Sequence, residues 1–220
     1  MNTAIELGSY LQRSPDLADV PEKVERNVEV RAAKQAVLNL LRPFRNSNDI
    51  RDVLDIGSGR GWSAKRLLAM FPCLFTVDCV VLYQEEVMAL NVIQGLTPLL
   101  AIQEAMPQWW SDKFNLVRAS HVLEHSPAPV VAMTEYARVL APDGLLQIVM
   151  PSAHGYTGLT TDSPKRIGDS PHHPFCASSE TIIEMLRHVG LVFDSYHEIP
   201  QTCNGMFEYH HRVWMARKPC

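Results

Sequence analysis

Nowhere in these 220 residues do two cysteines stand in a C-x-x-C pair: Cys73, Cys79, Cys176, Cys203 and Cys220 are odd in number and widely spaced. That spacing excludes a disulfide framework and a zinc site of ordinary ligand spacing, and it points to a reducing compartment. No apolar run approaches the about 18 residues needed to cross a bilayer, and the first residues, with acidic Glu6, lack the basic-then-apolar pattern of a secretory leader. A soluble, cytoplasmic protein with no membrane partner is expected. Positive clusters are missing as well. The 20 Lys and Arg are scattered among 24 Asp and Glu for a net charge of −4, without the basic footprint that nucleic-acid binding requires. Internal repeats and low-complexity tracts are absent.

What is present is one domain's worth of alternating elements, 1–220, long enough to bury a large core. Residues 1–21 are polar and broken by Pro15 and Pro21, and read as an arm or short lid helix. Val24, Val28, Ala32, Ala36 and Leu40 recur every four residues and predict a helix over 22–41, which with the arm makes an N-terminal region of about 45 residues. The pattern then predicts strands at 51–56, 73–78, 97–102, 115–120 and 144–150, with helices at 61–70, 84–93, 128–140 and 178–189. Last come strands near 191–197 and 206–217, joined too closely for a crossover helix and therefore an antiparallel hairpin. This alternation predicts an α/β fold: a doubly wound, mostly parallel sheet of seven strands. Ligands of such sheets lie beyond the carboxyl ends of the strands.

The first strand runs into Val53-Leu54-Asp55-Ile56-Gly57-Ser58-Gly59-Arg60-Gly61. Glycines permit the positive φ of a tight strand-to-helix turn and let a ligand approach the backbone. A dinucleotide fingerprint needs G-x-G-x-x-G, but Trp62 stands where the third glycine should be, and Asp55 would repel a pyrophosphate. An amino-bearing cation suits this turn better.

With every position of the acid-x-Gly-x-Gly-x-Gly loop filled, the chain resembles the class I S-adenosylmethionine-dependent methyltransferases. Three further segments carry the resemblance in order over residues 50–151: Leu74-Phe75-Thr76-Val77-Asp78, His121-Val122-Leu123-Glu124-His125 with its Leu-Glu-His signature, and Ala137 to Leu146. The resemblance implies a Rossmann-like fold with S-adenosyl-L-methionine as cofactor. It implies cofactor contacts from Asp55, Gly57, Ser58, Gly59 and Gly61, from Asp78 to the ribose with Cys79 beside it, and from Ser120 after strand four. The segment Ile102-Gln103-Glu104-Ala105-Met106-Pro107 matches the family's adenine segment, except that Ile102 replaces the usual Asp. The amino group of adenine then falls to Gln103, Glu104 or the backbone, with Ala105 against the purine.

Methyl transfer from a sulfonium needs mainly an acceptor held in line. A hydroxyl acceptor also benefits from a base, and His121 and His125 beyond strand four, or His154 in the irregular stretch that follows strand five, are the candidates. That stretch, 152–178, reads as a substrate lid or a solvated loop, and 179–220 as the C-terminal helix and strands. His121 to His125 also spells H-x-x-E-H, but the segment leaves a strand and meets Pro127 and Pro129, so it cannot be the helix a zinc site needs. No metal is expected. Adjacent His210 and His211 on a strand point to opposite faces. Of Trp109 and Trp110, one is expected in the core and one at the surface.

Base methylation would call for an Asp/Asn-Pro-Pro-aromatic segment where this chain reads Ser120-His121-Val122-Leu123. A small-molecule acceptor is therefore expected. The rivals are a catalytically silent methyltransferase-like domain that holds the cofactor or its product as a scaffold or partner subunit, and a nicotinamide oxidoreductase, which the glycine register opposes.

Overall fold

A computed structural model describes residues 28–44, 50–152, 175, 177–203 and 206–220, without the side chains of 203–209. The arm, the start of the first helix and most of the stretch after strand five, including His154, lie outside the described residues.

Five α-helices are described: α1 (Val28–Asn39), α2 (Trp62–Met70), α3 (Gln84–Asn91), α4 (Pro129–Val139) and α5 (Ser179–His188). The strands are β1 (Val53–Ile56), β2 (Val77–Val81), β3 (Leu96–Leu100), β4 (Phe114–Ser120), β5 (Leu140–Pro151), β6 (Val192–Cys203) and β7 (Met206–Arg217). These seven form one sheet in the order β3-β2-β1-β4-β5-β7-β6. The first five are parallel, and β7 runs antiparallel to both β5 and β6. The doubly wound sheet with its C-terminal antiparallel hairpin is thus as the alternation of elements predicts. Pro98 sits in the middle of the edge strand β3, opposite Cys79.

Alternate strand residues feed two cores. Leu54, Ile56, Val80, Val117 and Ile148 pack beneath α4 and α5, where Tyr136 and Ile182 are fully buried. Val53, Cys79, Val81, Leu116 and Val149 pack beneath α1, α2 and α3 with Leu38, Leu67 and Leu90. As expected, Trp110 is buried, edge-on to Phe114 with ring centroids 5.2 Å apart, while Trp109 is exposed.

Strand five begins at Leu140 rather than 144 and strand six runs on to Cys203 rather than 197, but the departure that matters for the site is in strand two. Strand two is not 73–78 but Val77–Val81. Pro72 ends α2 at an extended Phe71, and the chain then turns through Leu74, which is buried, and Phe75, which is 86% exposed. Pairing begins only at Val77, opposite Val53. Asp78 therefore stands one residue into the strand, and the strand's carboxyl end is the buried Val81.

Candidate functional site

The glycine turn lies at the carboxyl end of β1. Gly57, Gly59 and Gly61 all have positive φ, at 72°, 51° and 78°. The N–H groups of Gly57 and Ser58 donate to the carbonyl of Val80 at 2.9 and 3.3 Å, which ties the turn to β2. Two of the glycines are there for packing: a Cβ on Gly57 would lie 2.1 Å from Val122 Cγ2, and one on Gly61 2.6 Å from Leu90 Cδ2. At Gly59 the nearest atom to such a Cβ is Glu86 Oε1, 3.9 Å away. The middle of the turn therefore has room beside it, and a carboxylate borders that room.

Asp55 does not reach the crevice mouth as a strand-tip acid would. It is fully buried on the α1 face of the sheet, where Arg118 of β4 donates from Nη1 to its Oδ1 at 2.9 Å. Burial pushes the Asp55 carboxyl above its ordinary value, while the charge and hydrogen bond of Arg118 pull it down. Arg118 Nε continues to Gln147 Oε1 on β5 at 3.1 Å, and Gln147 Nε2 reaches the carbonyl of Val37 on α1 at 3.3 Å. Asp55 Oδ2 is buried with no hydrogen-bond partner among the described residues. Ser58 Oγ donates to the Asp55 carbonyl at 2.5 Å, so its hydroxyl closes the turn rather than facing a ligand.

Two predicted cofactor contacts are displaced by the true start of β2. Asp78 forms an ion pair with Lys113 Nζ at 2.5 Å, roughly 10 Å of strand short of the tip at ~3.3 Å per residue. Cys79 points into the α1–α3 core, fully buried, and burial above all pushes its thiol up to about 12. Neither residue stands at the carboxyl end of the strand.

Beyond β3, Gln103 and Glu104 are also turned inward. Gln103 donates to the carbonyl of Val122 at 3.0 Å and accepts from the Tyr136 hydroxyl, and Glu104 accepts from Ser126 Oγ. These bonds fasten the loop after β3 to the loop after β4. Ala105 is exposed and bridges back to half-buried Ile102 across a tight turn.

Ser120 ends β4, and His121 follows at φ 54°, an uncommon conformation for a side-chain-bearing residue and of the kind that gathers at functional sites. His121 Nε2 lies 2.8 Å from Nδ1 of His211 on β7, and His211 Nε2 lies 2.9 Å from Gln201 Oε1 on β6. On its other side His121 Nδ1 is 3.4 Å from Glu124 Oε1. Burial, reinforced by His121, Lys34 and Arg118, pushes His211 down to about 2, so it stays neutral. Burial alone would raise Glu124, but the His121 hydrogen bond and the charges of His121 and His125 outweigh it and hold the carboxyl below its usual value. Leu123–His125 is a single 3-10 turn, not the helix that a zinc-protease motif needs. His125, half-buried, completes that turn through its N–H to the Val122 carbonyl.

The sequence pointed to the glycine turn, Ser120, His121 and His125, and these do gather at the carboxyl ends of β1 and β4. It did not point to Arg118, Gln147, Gln201 or Glu86, and it singled out His211 only beside His210. A charge inside the apolar run Leu116-Val117-Arg118-Ala119 was the available signal, since a buried cation requires a partner.

A family model for a methyltransferase domain matches residues 24–196. No curated protein sequence matches the chain. Among solved structures it is similar to the 1,6-didemethyltoxoflavin-N1-methyltransferase of Burkholderia thailandensis, with bound 1,6-didemethyltoxoflavin and S-adenosylhomocysteine, at 18% identity and TM-score 0.65 over 97% of this chain and 87% of that one. A second similar structure comes from a complex with the Trm112 methyltransferase activator of Haloferax volcanii, at 14% identity and TM-score 0.68 over 90% and 95%. The YcgJ protein of Bacillus subtilis is a third, at 16% identity and TM-score 0.64 over 84% and 99%. At such identities these likenesses speak for the fold.

Proposed function

This chain belongs to the methyltransferase domain family, and from that premise we propose that it transfers a methyl group from S-adenosyl-L-methionine to a nucleophilic atom of a small-molecule acceptor. The observation that carries the reading is the contrast within the glycine turn: Gly57 and Gly61 are closed off by Val122 and Leu90, while Gly59 has open space beside it.

The cofactor supplies an electrophilic methyl group on a sulfonium. Residues 57–61 would hold it by backbone, with Asp55 and Arg118 fixing the turn from beneath. The loop 102–105 would close over the adenine with backbone atoms and Ala105, since the Gln103 and Glu104 side chains are spent on Val122, Tyr136 and Ser126. Ser120 and His121 bring the end of β4 to the same opening, where placing the acceptor in line accounts for most of the rate. His121 is held between Glu124 and His211, and His125 rides the next turn. For an acceptor that must lose a proton these two imidazoles are the bases to test, and the pH–rate profiles of His121→Gln and His125→Gln tell them apart.

Calorimetric titration with S-adenosylmethionine, S-adenosylhomocysteine and NADH tests the proposal. Binding of the two sulfur compounds alone supports it; binding of NADH alone would refute it. A second reading, a domain that holds the cofactor or its product without turnover, is favoured by two apolar residues where acids are expected, Val81 at the tip of β2 and Ile102 after β3. Cofactor binding with no methyl release across an acceptor screen would select it.

A further inference from the structure

Since β2 ends in Val81, with Asp78 ion-paired to Lys113 well below the tip, the strand itself offers no carboxylate at the crevice. The chain continues through Leu82 and Tyr83 into α3, whose third residue is Glu86. The Glu86 carboxylate lies close enough to the backbone N–H groups of Tyr83 and Leu82, the two residues that follow Val81, for their dipoles to favour its charge. Its Oε1 is also the atom nearest the open side of Gly59. One side chain thus carries a carboxylate from the first turn of a helix back to the carboxyl end of β2, beside the glycine turn.

Helix capping accounts for part of this arrangement, since a Glu at the third helical position commonly bonds to the N-cap N–H. It does not account for all of it. An ionised carboxylate has about four acceptor positions, more than two capping N–H groups can fill. The side chain is partly buried, its carboxyl raised above the ordinary value chiefly by that burial, with the Arg60 charge opposing the rise. A capping glutamate on a free helix end would face water, whereas this one faces a glycine that has no side chain to cover it.

We propose that Glu86 is the residue that receives the ribose hydroxyls of the cofactor, taking through α3 the position that β2 leaves apolar. The inference rests on the methyltransferase reading above. A vicinal diol presents two O–H donors, and a carboxylate in the first turn of α3 with an oxygen beside the open side of Gly59 is placed to accept them. Tyr83 and Glu85 lie within the same turn, but neither carries an atom near Gly59 among the contacts at that glycine.

The test is titration of S-adenosylhomocysteine, and of its 2′,3′-dideoxy analogue, into the wild-type protein, Glu86→Gln and Asp78→Asn. Gln keeps the shape and one capping acceptor but lacks the charge. The homocysteine compound should bind Glu86→Gln about 10- to 100-fold more weakly, the value of hydrogen bonds to a charged group, and Asp78→Asn within about twofold of wild type. The dideoxy analogue should bind wild type and Glu86→Gln alike. Equal loss for both ligands would reduce Glu86 to a structural cap and overturn the inference, as would unchanged affinity in Glu86→Gln or a large loss in Asp78→Asn. A wild-type protein that binds no S-adenosylhomocysteine would instead bring down the cofactor reading, and this inference with it.

Discussion

Arg118 and Asp55 stand opposite one another on adjacent parallel strands, both buried, joined by a 2.9 Å hydrogen bond. A buried ion pair is weak evidence of net stability, because desolvation offsets much of the attraction, yet removing one partner leaves the other stranded. Here the stranded group would lie directly beneath the glycine turn. Arg118→Met should therefore lower the unfolding free energy by about 3–5 kcal/mol, and pairing it with Asp55→Asn should recover part of that loss. Urea denaturation of the single and double variants measures both. A cost below about 1 kcal/mol for Arg118→Met would mean that Asp55 simply takes up a proton.

His211 gives a pH dependence of known sign. Its folded-state value, about 2, lies below the ordinary 6.5, so the unfolded chain binds a proton that the folded chain refuses. Its contribution is fully present above about pH 6.5 and is lost as the pH falls, by up to about 1.4 kcal/mol per unit. Glu124 is also depressed, from 4.5, and adds to the loss only below that value, whereas Asp55 and Glu86, raised by burial, act with the opposite sign as they take up protons, so a comparison of variants across the window from pH 6.5 to 5 isolates the histidine. Across this window the unfolding free energy of the wild type should decline relative to that of His211→Asn, as denaturation of both at each pH measures.

The glycines of the turn should separate stability from binding. Gly57→Ala sets a Cβ against stiff Val122 at φ 72° and should cost about 2 kcal/mol or more. Gly59→Ala meets only the backbone strain of its φ, about 1–2 kcal/mol, and Gly59→Val should abolish S-adenosylhomocysteine binding while the protein still folds. Thermal melts and titrations of the same samples check the pair; full binding by Gly59→Val would remove the turn from the site.

Thiol labelling follows burial. Cys79, buried and pushed up to about 12, should resist iodoacetamide in the native protein and react only in denaturant, whereas exposed Cys220 should react in both. The Cys220 thiol is itself raised by its hydrogen bond to Asp143, so acidic conditions will slow it further. Peptide mass mapping reads each site; native labelling of Cys79 would mean that β2 opens.

The order of elements and the glycine turn were legible because each depends on local pattern: apolar runs for buried strands, four-residue spacing for α1, positive-φ glycines at 57, 59 and 61. The position of β2 was not. Leu74-Phe75-Thr76-Val77 and Cys79-Val80-Val81-Leu82 are both largely apolar, and the pairing against Val53 to Ile56 places the strand. That choice moved Asp78 off the crevice and left Glu86 to be found. The Arg118–Gln147 and His121–His211–Gln201 contacts are set by strand register between residues as much as 90 positions apart, which no local window contains.

Pro98 gives the β3 edge a different significance. An outermost strand exposes a row of unpaired backbone groups on which another chain can add a strand, the first step toward aggregation. At five residues β3 is short, and its central position has no N–H to offer a newcomer. Although Leu100 leaves apolar surface exposed at the end of this edge, strand-by-strand growth there is interrupted at its middle, and Pro98→Val should make the protein precipitate at lower concentration.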